Sequence, residues 1–215
     1  MGENLLNVLI LGANGRIARW VVDDLAADAG VRQTLLARDP AKLDFVPENA
    51  TAVQGDVLDT EKLTASVAGH EIVYANLTGD DMGEQAKSLI AAMDAAGTKR
   101  LIFILSLGIY DEVPGAFGDW NRRTIGPFLG TFREAADAIE ASDLEYTLVR
   151  PAWLDDRDEI DYELTQKGEP FKGTVVSRKS VADLVARIIR DPQMHRGENV
   201  GVSRPNSDAA KPYFM

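Results

Sequence analysis

No cysteine occurs among the 215 residues. Disulfides, thiolate metal sites and cysteine nucleophiles are thereby excluded. The composition fits a reducing compartment, and the expected location is cytoplasmic. No apolar run approaches the roughly 18 residues that a membrane helix needs. The opening MGENLLNVLI lacks a basic segment followed by a long apolar one, so no secretory leader is expected. Leu6 stands where a myristoylation signal has Ser or Thr. Histidine is scarce: His70 and His195 are the only two, both in polar surroundings and expected at the surface. Basic runs are missing as well, since 23 Lys and Arg face 34 Asp and Glu, a formal net charge of −11. Nucleic acid and anionic membrane would each require a basic face, so neither is an expected partner. A small molecule is, and the oligomeric state stays open between monomer and homodimer. No GxSxG elbow supports hydrolase chemistry.

What is present alternates in type. With 45% hydrophobic residues the chain can fill one substantial core, read as a single domain over 1–215. Strands are expected at 5–11, 31–37, 50–54, 71–76, 101–107, 144–149, 174–177 and 199–202, from short apolar runs ended by turn residues. Helices are expected at 15–29, from Asp59 or Thr60 to about Ala68, and at 81–96, 128–141 and 180–190. Gly30 and Gly97 serve as stops, and Asp39 and Ser180 as N-caps. The glycine-, proline- and aromatic-rich 108–126 reads as a loop, and 151–173 as irregular. Strand and helix alternating in this way imply an α/β fold, a doubly wound parallel sheet with helices on both faces. Ligands of such sheets lie beyond the carboxyl ends of the strands, near the switch in strand order.

The first strand runs into a glycine turn, VLILGANGRIARWVV at Val8–Val22. Gly12 allows the chain to turn sharply off the strand. Gly15 lets backbone N–H groups approach a pyrophosphate at the helix N-terminus, with Ala13, Asn14, Arg16 and Ile17 around it. Small Ala18 lets the helix lie close on the sheet. Position after the first strand and before the first helix is the context that turns a weak GxxGxxA pattern into a nucleotide-binding reading. Arg38 ends the second strand, where a dinucleotide fold faces the adenosine ribose. An arginine there suits a 2′-phosphate and an acid suits a free 2′-OH, so NADP(H) is expected in preference to NAD(H), with Arg16 aimed at the same phosphate. Asp56 and Val57 are expected against adenine, and Asn76, Leu77 and Thr78 along the pyrophosphate or the nicotinamide ribose.

Taken together, LGANGRIA, LLARDPAKL, GDVLD, LSLGIY and SDLEYTLVRPAW resemble the atypical short-chain dehydrogenase/reductases, the NAD(P)-binding group that includes NmrA-like proteins and biliverdin reductase B-like flavin reductases. The resemblance runs from Val8 to about Ile189. It implies a Rossmann-type sheet of seven or eight strands and nicotinamide contacts near Ser106 and Pro151, Ala152 and Trp153. A small irregular C-terminal region, 151–215, would supply the substrate side.

That family pairs a serine at the end of strand five with a Tyr-x-x-x-Lys motif on the next helix, where the lysine lowers the tyrosine pKa for proton exchange. Ser106 matches the serine, but Tyr-x-x-x-Lys occurs nowhere; the corresponding positions hold Phe128 and Phe132, or Leu129 and Arg133. Tyr110 is then the substitute donor to test, its other reading being a packing role. Alternatively, an acceptor such as a flavin, quinone or enone needs mainly orientation, with the proton taken from water. Tyr110, Phe117, Trp120, Phe128 and Trp153 suit a flat conjugated substrate and equally suit core and lid packing. The reading is an NADP(H)-dependent reductase of that group. Its alternative is an NmrA-like sensor that binds NADP without catalysis, and a nucleotide-sugar epimerase or dehydratase ranks third. The acidic run DDRDE at Asp155–Glu159 reads as a solvated loop rather than a metal site.

Overall fold

The computed structural model describes residues 5–215. The leader and acylation readings rest in part on residues 1–4, which lie outside the described residues. The chain runs β1 (Leu6–Leu11), α1 (Arg16–Asp24), β2 (Val31–Ala37), β3 (Ala50–Gln54), α2 (Thr60–Val67), β4 (Ile72–Ala75), α3 (Met82–Ala96), β5 (Arg100–Ile104), α4 (Gly115–Glu140) and β6 (Glu145–Pro151). Then follow β7 (Trp153–Asp155), β8 (Glu163–Gln166), β9 (Val175–Ser177), α5 (Arg178–Arg190) and β10 (Glu198–Ser203). Eight strands form one sheet in the order β3-β2-β1-β4-β5-β6-β10-β8, and β7 and β9 pair separately. All neighbours are parallel except β10 and β8. The expected Rossmann-type architecture is therefore present, with its switch point between β1 and β4.

Strand alternation divides the interior in two. Val8 and Ile10 of β1 and Ile102 of β5 turn to one face, where α1 and α5 cover them with Val21, Leu25, Val185 and Ile188. Leu9, Leu11 and Phe103 turn to the other, under α2, α3 and α4 with Leu63, Leu89 and Ile139. Both faces of the central strands are covered, which is why LIFI reads as a continuous apolar run. Each fully buried Leu or Ile contributes about 1.5–3 kcal/mol relative to exposure.

Several boundaries differ from expectation for identifiable reasons. Helix α1 stops at Asp24 rather than near Ala29, because the Asn49 amide takes the carbonyls of Leu25, Asp28 and Val31 and holds the chain in turns. Gly30 is thus not the helix stop. Helix α4 begins at Gly115, inside the segment read as a loop, and passes through Pro127. Arg123 is the residue whose carbonyl loses its partner to that proline; it is exposed and can bond water instead. Meanwhile Leu129, Ala135, Ala136 and Ile139 anchor the helix in the core, so packing overrides the glycine and proline signals. Gly118 is required there, since a Cβ would sit 2.0 Å from the Val113 carbonyl oxygen. The irregular 151–173 contains β7 and β8.

The cap of α5 is Ser177, not Ser180. Its Oγ accepts the Ser180 N–H at 2.9 Å and donates to the Glu159 carbonyl at 2.7 Å. Ser177→Ala is expected to lower stability by about 1–2 kcal/mol, the usual cost of a lost cap, read as a lower urea midpoint at unchanged slope.

Candidate functional site

Two clefts open at the carboxyl ends of the strands and meet across the Gly15–Arg16 peptide. The first, of about 780 Å³, collects Gly12, Asn14, Gly15, Arg38, Asp56, Val57, Asn76, Leu77 and Thr78. The second, of about 660 Å³, collects Arg16, Ser106, Pro151, Ala152 and Trp153. Ala13 and Ile17 lie buried beneath the turn. Of the residues chosen from sequence, these support the cradle rather than line it.

The turn is tight. Gly12 has φ +68°, and a Cβ there would meet the Asn76 carbonyl oxygen at 2.3 Å; one on Gly15 would meet Asn76 Nδ2 at 1.9 Å. The N-terminus of α1 has no side-chain cap and no acidic residue in its first turn. Its first N–H groups are therefore left for an external acceptor, which the helix dipole favours as an anion. Asn14 Oδ1 is buried without a partner among the described residues, while its Nδ2 donates to the Asp39 carbonyl. At the far end of this cleft, Arg38 is exposed; its carbonyl accepts from Gln54 Nε2 at 3.2 Å, and among the described residues no ion pair or hydrogen bond engages its guanidinium. Lys42 is the neighbouring cation, 3.2 Å from Asp39. Asp56 closes a turn by accepting the Leu58 N–H at 2.9 Å, and Val57 is buried beside it. Glycines without room for a Cβ, an uncapped helix and an unengaged arginine fit the pyrophosphate and adenosine of a dinucleotide.

Arg16 is not beside Arg38. It lines the second cleft and pairs with Asp156, whereas Arg38 lines the first. Tyr110 lines neither cleft. Its hydroxyl donates to Glu140 at 3.2 Å and accepts from Asn199 Nδ2 at 2.8 Å. The Arg133 guanidinium and the Lys167 ammonium each lie 4.6 Å from its ring centre. Burial pushes the phenol pKa well above its ordinary value, and neighbouring Glu140 adds to this. A phenol so bonded, turned away from the cleft, is no proton donor to a ligand there. Helix α4 brings only Ile125 to the cleft, and Phe128 is 55% exposed. Ser106 is half-buried, its hydroxyl donating to the Leu107 carbonyl at 3.2 Å.

Of the aromatic set, only Trp153 lines the cleft. Trp120 packs 4.8 Å behind it and stacks in turn on Phe117, while Asn121 accepts the Trp153 indole N–H at 2.9 Å. Phe117 and Trp120 are thus packing. The other aromatic walls are Tyr213 and Phe214, which sequence reading missed. Tyr213 is anchored by donating to buried Asp155 at 3.1 Å and accepting from Arg157 Nε at 3.2 Å. The acidic run is not simply solvated: Asp156 bridges Arg16 and Arg178, Asp158 pairs with Lys179, and Glu159 pairs with Arg204. Among the described residues no cluster of three His, Asp or Glu could hold a metal. His70 bonds Thr34 and His195 bonds Glu198, both outside the clefts.

This geometry defines a dinucleotide-binding protein of the Rossmann type, read at the crevice where such sheets take their ligands. The chain belongs to the NAD(P)H-binding family, which it matches over residues 12–192. It is 54% identical to a Rossmann-fold NAD(P)-binding family protein from Shigella flexneri, covering 98% of this chain and 100% of that one with a TM-score of 0.86. It is 27% identical to a short-chain dehydrogenase/reductase from Veillonella parvula in complex with NADP, covering 97% and 99% with a TM-score of 0.88. A phenylcoumaran benzylic ether reductase from Nicotiana tabacum is 29% identical over 154 residues, 66% of this chain but 47% of the reductase. The chain thus spans about half the length of that relative. Among the described residues no helix is long and apolar enough to cross a membrane.

Proposed function

We propose that the protein is an NADP(H)-dependent reductase acting on a small conjugated acceptor of flavin, quinone or enone type. The observation that carries this reading is the pairing of the two clefts across Gly15–Arg16. One is polar and glycine-lined; the other is walled by Ile125, Trp153 and Phe214. In this reading the chain acts as one unit, with 151–215 supplying the substrate side. The NADP complex of the Veillonella relative and the reductase activity named for the tobacco relative support it. The lack of cysteine fits a cytoplasmic setting.

Reduced nicotinamide, when bound, supplies the hydride and with it two electrons; water supplies the accompanying proton. The chain's own residues bind and orient. The Gly12–Gly15 turn and the first N–H groups of α1 hold the pyrophosphate. Arg38 holds the 2′-phosphate, with Lys42 beside it. Ser106 offers a hydroxyl just past the end of β5 to a carbonyl oxygen, and Ile125, Trp153 and Phe214 hold a flat ring against the nicotinamide site.

NADPH titration by fluorescence, followed by a turnover screen of flavins, quinones and enones, tests the reading; absence of NADPH binding at high micromolar concentration sinks it. Arg38→Ala is expected to weaken NADPH by roughly tenfold to a hundredfold, the worth of a charge-assisted contact of about 1.5–3 kcal/mol, and to leave NADH nearly unaffected. Equal weakening of both would place the 2′-phosphate elsewhere. A second reading has one observation in its favour: no tyrosine on α4 reaches the cleft. An NADP-sensing regulator would bind the cofactor tightly and oxidise it with none of these acceptors.

A further inference from the structure

Arg178 opens α5 at the wall of the second cleft, and its side chain is only 14% exposed. It sits in the first turn, beside Lys179 and with no acidic residue there, where the helix dipole disfavours a cation. Its one hydrogen bond among the described residues runs from Nη1 to Asp156 Oδ1 at 2.8 Å. A guanidinium has donors on three nitrogens, so most of its capacity is unspent. Arg16 reaches the same carboxylate from the opposite side. Asp156 itself is 59% exposed and is held by nothing deeper. The other acid of the cleft, Asp155, is already taken by Tyr213, Arg157 and Arg204. Two guanidinium groups therefore share one exposed carboxylate, which offsets only one of their two charges, in a chain of net charge −11.

We propose that Arg16 and Arg178 form an anion subsite in which Asp156 is a displaceable counterion, so that the preferred acceptor is a flat conjugated molecule carrying a carboxylate, sulfonate or phosphate. Planar guanidinium groups suit such oxyanions in two-pronged contacts. The aromatic walls Trp153 and Phe214 receive the ring while the arginines take the charge. This rests on the reductase reading above.

The test compares acceptors of one ring system that differ in charge: naphthoquinone with and without a ring sulfonate, and flavin mononucleotide against riboflavin. NADPH oxidation is followed with the whole protein, and acceptor binding by quenching of tryptophan fluorescence. The expected result is a kcat/KM roughly tenfold or more higher for the charged member, shrinking with added salt. Arg178→Gln removes most of that preference, its loss falling mainly on the charged member, while the variant still binds NADPH and keeps its melting temperature. Asp156→Asn, which removes the competing carboxylate, tightens the charged member. Equal handling of both members by the wild type, or equal slowing of both by Arg178→Gln, overturns the subsite. NADPH binding without binding or reduction of any acceptor overturns the reductase reading itself, and this inference with it.

Discussion

Gly12→Ala should cost at least about a hundredfold in NADPH affinity. At φ +68° a side chain is strained by about 1 kcal/mol. More important, the new Cβ would lie 2.3 Å from the Asn76 carbonyl oxygen and 3.1 Å from its carbon, both backbone atoms. Neither can rotate away, so the end of β4 must part from the end of β1, where the Asn76 N–H donates to the Leu11 carbonyl at 3.0 Å. The N–H groups that cradle a pyrophosphate are aimed by that junction, and misaiming one or two charge-assisted bonds of about 1.5–3 kcal/mol each accounts for the loss. Fluorescence titration measures it. Gly130→Ala is the control: it lies inside α4 and a Cβ there has open space, so affinity should hold and stability rise slightly. Retained NADPH binding in Gly12→Ala would show that the turn is not the cradle.

The second large effect concerns stability. Glu112→Ala should destabilise the fold by about 3–5 kcal/mol, a large part of the roughly 5–15 kcal/mol available to a domain. Arg150 is the largest fully buried side chain, and Glu112 is its carboxylate partner with 5% exposure. The same carboxylate accepts the N–H groups of Gly108 at 3.0 Å and Tyr110 at 2.9 Å. On its other side Arg150 Nε donates to Asn199 Oδ1 at 2.7 Å, and Asn199 leads on to Tyr110 and Glu140. Arg150 Nη2 has no partner even now among the described residues. Removing Glu112 leaves a guanidinium in the interior with the neutral Asn199 amide oxygen but no countercharge to offset its desolvation. Urea unfolding gives the free energy. Replacing Glu112 and Arg150 together by leucine and methionine should recover only part of the loss, because an apolar pair removes the buried charge but leaves the Gly108 and Tyr110 N–H groups and Asn199 Oδ1 without those partners. Unfolding of Glu112→Ala at the wild-type midpoint would contradict this account.

How far the sequence could be read depends on where each residue's partners lie. β2 and β3 match their expected bounds, and Gly97 ends α3 in the left-handed conformation, because these features are set within a few residues. The polar cleft was legible for a similar reason: a doubly wound sheet puts successive strand ends on one rim, so Gly12, Arg38, Asp56 and Asn76 meet by topology alone. The second cleft was legible only in part: Ser106, Pro151, Ala152 and Trp153 line it, but its other walls gave no local signal. Tyr213 joins Asp155 across 58 positions and Arg16 joins Asp156 across 140, and no local pattern announces such pairs. Tyr110 failed as a donor because its spacing from Ser106 says nothing of which way the chain turns; Glu112, two residues on, binds the Tyr110 N–H, and the ring lies away from the cleft. The first half of helix α4 was hidden by Gly115, Gly118, Gly126 and Pro127, local breakers outvoted by a buried helix face, whereas 128–141 was expected.

The separate pairing of β7 with β9 has a consequence for how such a molecule can change. Trp153 begins β7, and Arg178 directly follows β9, so a two-stranded ribbon carries both the ring-facing and the charge-facing wall. The glycine turn, Arg38 and Asn76 hang instead from the large sheet. On the proposed reading, substitutions along the ribbon beyond Trp153 would retune which molecule is accepted while the glycine turn and Arg38 are left alone. Anyone redesigning this protein, like natural selection before them, has a handle on choice of partner that does not touch the grip on the coenzyme.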